Sequence, residues 1–393
     1  MFRSTTSLWA PPLLNSTERI RPIRSNYSAQ PTLQIPVTKP QIPTPSRIAG
    51  AGAGAEAAAM PRWLSVTAGR DRCYRRSFTA AGLRPSTTGL GDGATVHLWL
   101  PRRPDPSRPA LLLLHGFGAL STWQWAPYLR PLTRAGFDLY VPDLVFFGGS
   151  STPAPARSES YQAQCVMAAM DALGVARFAL AGVSYGGFVG YRLAAMYPAA
   201  VDRAVLICAG VCLEERDLAA GLLAVSDVAE AASLLLPQRP DKLRQLVNLT
   251  FSRPPPLMPN CFIRDYIQVM CTEYVKEKTE LLHSLVNGRK LSDLPTITQP
   301  TLIIWGEEDR VFPLELAFRL KRHLGEKSQL VIVKNAGHAI NREKPREVCK
   351  LIRNFCVDSS VKVRDRHKVT WSNVIRRFER SRLRRIDSGR PLL

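Results

Sequence analysis

Gly182-Val183-Ser184-Tyr185-Gly186 joins two runs of different character, Phe178-Ala179-Leu180-Ala181 before it and Phe188-Val189-Gly190-Tyr191-Arg192-Leu193-Ala194 after it. The first run, small and apolar, reads as a buried strand, and the second as a helix. A serine on the sharp turn between them must take a strained backbone conformation. Small flanks let strand and helix approach closely, and Gly182 and Gly186 meet that need. Ser184 then stands clear of the sheet edge. A turn without chemical consequence would read the same over five residues, so the surroundings decide.

Upstream, Val96-His97-Leu98-Trp99-Leu100 has a strand signal, and Ala110-Leu111-Leu112-Leu113-Leu114 suits a parallel strand buried on both faces. That run leads into His115-Gly116-Phe117-Gly118. Helical spacing from Trp123 to Thr133 precedes a strand at Asp138-Leu139-Tyr140-Val141 and the loop Pro142 to Ser150. Another helix is expected from about Ser158 to Leu173, with Gly174 placed to stop it. Downstream come Ala204 to Cys208, a long helical stretch from Glu214 to Leu294 broken by prolines, and strands at Thr301 to Trp305 and Leu330 to Val333. Strands alternating with helices predict an α/β fold with a mostly parallel, doubly wound sheet. The helical stretch predicts a cap inserted between strands, above the strand ends where ligands bind in such sheets. The expected organisation is a leader over 1–59, sheet core over 60–210 and 297–357, a cap over 211–296, and a C-terminal tail over 358–393.

A serine hydroxyl is a weak nucleophile at neutral pH and needs a base within hydrogen-bond reach, held by a third group. Asp309 follows the strand ending at Trp305, and His338 follows the strand ending at Val333, so both fall at the sheet end where Ser184 must be. Serine, acid, then histidine is the chain order expected of this sheet type. Glu307 and Glu308 are rivals to Asp309, whose place before Val311-Phe312-Pro313 favours it; among six histidines, His338 has the loop position a base requires. Acyl transfer also needs donors for a developing oxyanion. The backbone N–H groups of Phe117 and Tyr185 are the expected pair.

On His115-Gly116-Phe117-Gly118, the pentapeptide at Ser184, Gly306-Glu307-Glu308-Asp309 and Gly337-His338, the stretch from about Ala110 to Cys356 resembles the α/β-hydrolase superfamily, in particular its cap-bearing esterase and lipase-like members found in plants. The resemblance implies a serine hydrolase acting on a carboxylic ester with an apolar part, through an acyl-enzyme and without a cofactor or metal. Carbon–carbon bond cleavage, thioester cleavage and acyl transfer would use the same triad. Epoxide hydrolases and dehalogenases of this fold use an aspartate where Ser184 stands and are set aside. A rival from another class is a small-molecule receptor that keeps the triad but turns over slowly or not at all; a triad-bearing scaffold closed by its lid is a third reading. One departure concerns the loop after Asp143, where many relatives have G-x-G-x-S and this chain has Phe146-Phe147-Gly148-Gly149-Ser150. Two phenylalanines there are expected to narrow or line the pocket mouth.

The formal net charge of +21 over 393 residues is unevenly spread. The tail from Asp358 holds eleven Lys or Arg against four Asp or Glu, and the first 60 residues hold six against two. Without interleaved aromatic and basic residues in the remainder, nucleic-acid binding is not expected. In the tail, Trp371, Val374, Ile375 and Phe378 would form one apolar stripe on a helix, with arginines over the remaining surface. The stretch docks on the core as such a helix, lies in a membrane interface, or stays disordered. The acid-poor, Arg- and Ser-containing leader reads as disordered and as a candidate plastid or mitochondrial transit peptide, with a start at Met60 as the alternative. Eight cysteines without C-x-x-C pairs read as reduced thiols. Cys208 and Cys212, four apart and without a nearby histidine, read as core packing rather than zinc ligands.

Overall fold

Ala110–Leu114, Phe178–Val183 and Thr301–Gly306 are buried along almost every residue, which a strand achieves only with layers on both of its faces. The computed structural model describes residues 64–256 and 259–357. The readings made of the leader and of the tail fall outside the described residues. Along the chain come α1 (Val66–Ala80), β1 (Leu83–Gly89), β2 (Thr95–Pro101), β3 (Ala110–Leu114), α2 (Ser121–Trp125), α3 (Leu129–Arg134), β4 (Asp138–Pro142), α4 (Glu159–Ala172), β5 (Phe178–Val183), α5 (Tyr185–Met196) and β6 (Val201–Ile207). Helices α6 (Arg216–Ala219), α7 (Val228–Leu235), α8 (Pro240–Thr250), α9 (Asn260–Met270) and α10 (Val275–Val286) then intervene. The chain returns to the sheet through β7 (Thr301–Gly306), α11 (Leu314–Leu324), β8 (Ser328–Val333), α12 (Ile340–Glu343) and α13 (Pro345–Val357).

The eight strands form one sheet in the order β1-β2-β4-β3-β5-β6-β7-β8. Pairings from β4 through β8 are parallel, and β1 and β2 extend one edge antiparallel. After β3 the chain steps to one side for β4 and then to the other for β5, so the winding reverses between the carboxyl ends of β3 and β5. A crevice opens at such a reversal. Here the reversal brings the loop at His115 beside the turn at Ser184.

Two elements were not expected. Strand β1 carries Pro85 and mostly exposed polar residues, which is tolerable because it sits at the sheet edge and pairs on one side. Helix α1 starts at Ser65, whose side chain accepts from the Ala68 N–H at 3.0 Å, and among its residues Thr67 and Phe78 are buried. So short a buried stripe leaves almost no periodic signal. The single helix expected from Trp123 to Thr133 is two short helices around a 3₁₀ turn, Ala126–Tyr128, because Pro127 and Pro131 each remove a backbone donor.

Candidate active site

Ser184 has φ 52° and ψ −119°, a conformation that costs energy for any residue with a side chain and persists only where its surroundings impose it. Its N–H donates to the Ile207 carbonyl at 2.8 Å, and its carbonyl accepts from the Gly187 N–H at 2.8 Å. The turn is thus held by β6 on one side and by the start of α5 on the other. A Cβ on Gly182 would collide with the backbone of Gly186, and one on Gly186 would lie 2.5 Å from the carbonyl oxygens of Leu114 and His115.

His338 Nε2 lies 3.0 Å from Ser184 Oγ, and His338 Nδ1 lies 2.9 Å from Asp309 Oδ2. The Asp309 side chain is fully buried. Its Oδ1 accepts from the N–H groups of Val311 at 2.9 Å and Phe312 at 2.8 Å, leaving Oδ2 for the imidazole. An ionised carboxylate can only accept, so Nδ1 carries the imidazole proton and Nε2 is free to accept from the serine hydroxyl. Chemically, this arrangement can take a proton from Ser184 and stabilise the imidazolium that results. Of the three consecutive acids, Asp309 meets His338, whereas Glu308 accepts from Ser252 Oγ at 2.8 Å.

The His115 loop lies against Ser184: a Cβ on Gly116 would be 3.4 Å from Ser184 Cβ. His115 Nε2 accepts from the Leu144 N–H at 2.9 Å, so its Nδ1 holds the proton and donates to the Gly116 carbonyl at 2.9 Å. Both ring nitrogens are committed to a neutral imidazole, and burial pushes the pKa of His115 below its ordinary 6.5. The rings of Phe117 and Tyr185 meet edge to face with centroids 5.5 Å apart. Among the described residues, neither of their backbone N–H groups takes a hydrogen-bond partner.

Asp143 organises the loop that departs from the family pattern. Its carboxylate accepts from the Ser121 N–H at 3.0 Å and pairs with His97 Nδ1 at 3.0 Å. Burial raises the pKa of this carboxyl, but the His97 hydrogen bond and the neighbouring His115 outweigh it, and the net shift is downward. Phe146, where the pattern calls for glycine, has φ 73°. The expectation that Phe146 and Phe147 narrow or line the pocket mouth meets a packed arrangement. Both are buried. Phe147 backs Phe117 at 5.4 Å and His115 at 5.1 Å, while Phe146 is turned towards Tyr274 at 5.7 Å and the Arg157 guanidinium at 4.5 Å.

The helices between β6 and β7 touch both loops of the site. A Cβ on Gly118 would be 3.3 Å from the carbonyl oxygen of Leu235, at the end of α7. The Ala339 N–H donates to the Thr250 carbonyl at 2.8 Å. Glu343 accepts from the Gly337 N–H at 2.7 Å through one oxygen and, through the other, from Ser252 and Arg253 at 3.1 and 3.2 Å. Sequence reasoning missed Glu343, because a glutamate five residues after a histidine carries no signal until the insertion is folded beside it. Among the described residues, one group of side chains could hold a metal ion: Cys208, Asp309 and His338.

The sequence model described as "Alpha/beta hydrolase family" matches residues 111–351. The chain is 26% identical to the 2-hydroxy-6-oxononadienedioate/2-hydroxy-6-oxononatrienedioate hydrolase of Pseudomonas sp., over 62% of this chain and 87% of that one. It is also 26% identical to the monoacylglycerol lipase ABHD6 of Mus musculus, over 63% of this chain and 75% of that one. Among solved structures, a bacterial membrane phospholipase A superposes with a TM-score of 0.61 at 28% identity, covering 75% of this chain and 92% of that one. These relatives are bacterial and mammalian and give no support to the plant affiliation. Because the family match begins in β3, ends in α13 and takes in every parallel strand between them, the chain belongs to the alpha/beta hydrolase family and is a hydrolase.

Proposed function

We propose that the protein is a serine hydrolase that cleaves carboxylic esters of apolar small molecules or lipids. The observation that carries this reading is the continuous hydrogen-bonded chain from Ser184 Oγ through His338 to Asp309. Ser184 attacks the ester carbonyl as His338 Nε2 takes its proton, and the N–H groups of Phe117 and Tyr185 donate to the oxyanion. His338 returns the proton to the departing alcohol. Water, activated in turn by His338, then releases the acid from Ser184. Asp309 holds the imidazole tautomer and stabilises its charged form throughout. The lipase among the relatives supports an ester, and the relative named a hydrolase of 2-hydroxy-6-oxononadienedioate, a compound whose name carries no ester, supports carbon–carbon cleavage by the same groups as the second reading.

Residues 211–296 act in this reading as a cap, supported by their contacts with the Gly118 and His338 loops. The tail, with its eleven basic residues, gives peripheral contact with anionic lipid. Vesicle co-sedimentation should show salt-sensitive binding by the full chain and its loss when the chain ends at Val357; equal binding by both would remove that role. The function itself is tested with p-nitrophenyl esters of graded acyl length. Rates should rise with length and fall once the cavity is full, over many turnovers per enzyme. A flat profile would remove the apolar substrate, and a single slow turnover would favour a receptor.

A further inference from the structure

Cys208 follows β6 directly and has φ 46°, one of five non-glycine residues with positive φ among the described residues. It is fully buried, and its N–H is held by the Ile304 carbonyl at 2.9 Å. A side chain held at positive φ carries a backbone cost that the surrounding structure must impose. What Cys208 faces is the acid and base of the triad: a ligand atom from each of Cys208, Asp309 and His338 lies within 4.8 Å of the other two. Burial and the Asp309 charge push the thiol pKa well above its ordinary range, so in the metal-free protein Cys208 is a protonated bystander rather than a rival nucleophile.

We infer that Cys208, Asp309 and His338 form a binding site for a thiophilic divalent cation, with zinc the foremost candidate, and that occupancy turns the hydrolase off. Thiolate, imidazole and carboxylate are the donors that tetrahedral zinc takes, and ligand atoms around one such ion stand roughly 3.5 Å apart. Magnesium and calcium, which require oxygen ligands, are excluded by the same set. Charge is balanced on occupancy, since Zn²⁺ with one thiolate and one carboxylate is neutral. The thiol proton leaves to solvent, and the imidazole proton moves from Nδ1, now on the metal, to Nε2. Nε2 is the atom that must accept from Ser184, so the base is blocked while the ion is bound.

Inhibition rests on the triad reading, but binding does not, so two measurements are needed. The first is the ratio of ester hydrolysis with and without added zinc chloride, for the wild type and for Cys208→Ala and the nearly isosteric Cys208→Ser. The ratio cancels any change in basal rate. Zinc should inhibit the wild type, reversibly with EDTA, and magnesium should not. Each variant should need at least the ~10- to 100-fold more zinc that loss of even an outer metal partner imposes. The second uses cobalt(II), whose bond to a thiolate absorbs in the near ultraviolet whether or not the protein hydrolyses anything. The band should appear in the wild type and be absent from both variants. Equal zinc sensitivity in all three proteins, or no cobalt–thiolate band in the wild type, would overturn the inference. A band without ester hydrolysis would leave the site standing and count against the proposed function instead.

Discussion

At the residue scale, Gly182 and Gly186 make the turn at Ser184 possible, because what their missing side chains would strike is backbone rather than a side chain that could move aside. Overpacking a core typically costs about 1–3 kcal/mol when neighbours can shift. Gly182→Ala is therefore expected to lose at least the upper end of that range in denaturant unfolding; a variant within experimental error of the wild type would show that strand and helix do not meet this closely. His115 supports a second expectation. Its neutral ring is locked by the Leu144 N–H and the Gly116 carbonyl, and its folded pKa lies below the ordinary 6.5. As pH falls below that value the unfolded chain takes a proton that the folded one refuses, so stability falls with pH. Asp143 has the opposite charge chemistry but acts in the same direction. Its depressed pKa contributes stability above the ordinary 3.8 that is lost as pH drops through the folded value. Comparing unfolding at about pH 7.5 and about pH 5.5 isolates the histidine, and His115→Gln should show a smaller decline than the wild type.

At the scale of elements, the end of α8 is sewn to the loop that carries His338. Thr250 accepts from Ala339, and Glu343 gathers Gly337, Ser252 and Arg253 around one carboxylate. Residues on both sides of His338 are therefore positioned by the insertion as well as by β8. Glu343→Ala should misplace the imidazole and lower kcat by the order of 10- to 100-fold with little change in KM, in keeping with the cost of ångström-scale misplacement. Glu343→Gln, which keeps one acceptor oxygen, should recover part of the loss; a rise in KM with kcat unchanged would assign Glu343 to substrate binding. The same elements explain what the sequence could disclose. Strands buried on both faces, such as Leu111 to Leu114, are continuous apolar runs, and the turns after them are left to the polar residues, so the sheet was legible, as was the meeting of Ser184, Asp309 and His338 at one end of it. Strand β1, helix α1, Glu343 and the facing of Cys208 were not. Each depends on an edge position or on contacts between distant segments that leave no periodic trace.

For the whole molecule, the reversal of winding at β3 and β5 sets where the site can be, and the insertion is fastened to the core around it. Arg289, just after α10, bonds Glu159 of α4 at 2.7 Å and the Val211 carbonyl at 2.8 Å, with its guanidinium 5.0 Å from the Phe188 ring of α5. Leu243, Ile263, Ile267, Met270 and Cys271 form a small core of the insertion that packs on Leu120 and Trp123 of the sheet domain. In the proposed mechanism this architecture serves one nucleophile, Ser184. The most direct test of that mechanism is labelling with a fluorophosphonate probe, followed by peptide mapping by mass spectrometry. One adduct is expected, on the peptide containing Ser184, with Ser184→Ala unlabelled and its hydrolysis reduced by the order of 10⁴-fold or more. Undiminished labelling of Ser184→Ala, or an adduct mapped to another residue, would contradict it.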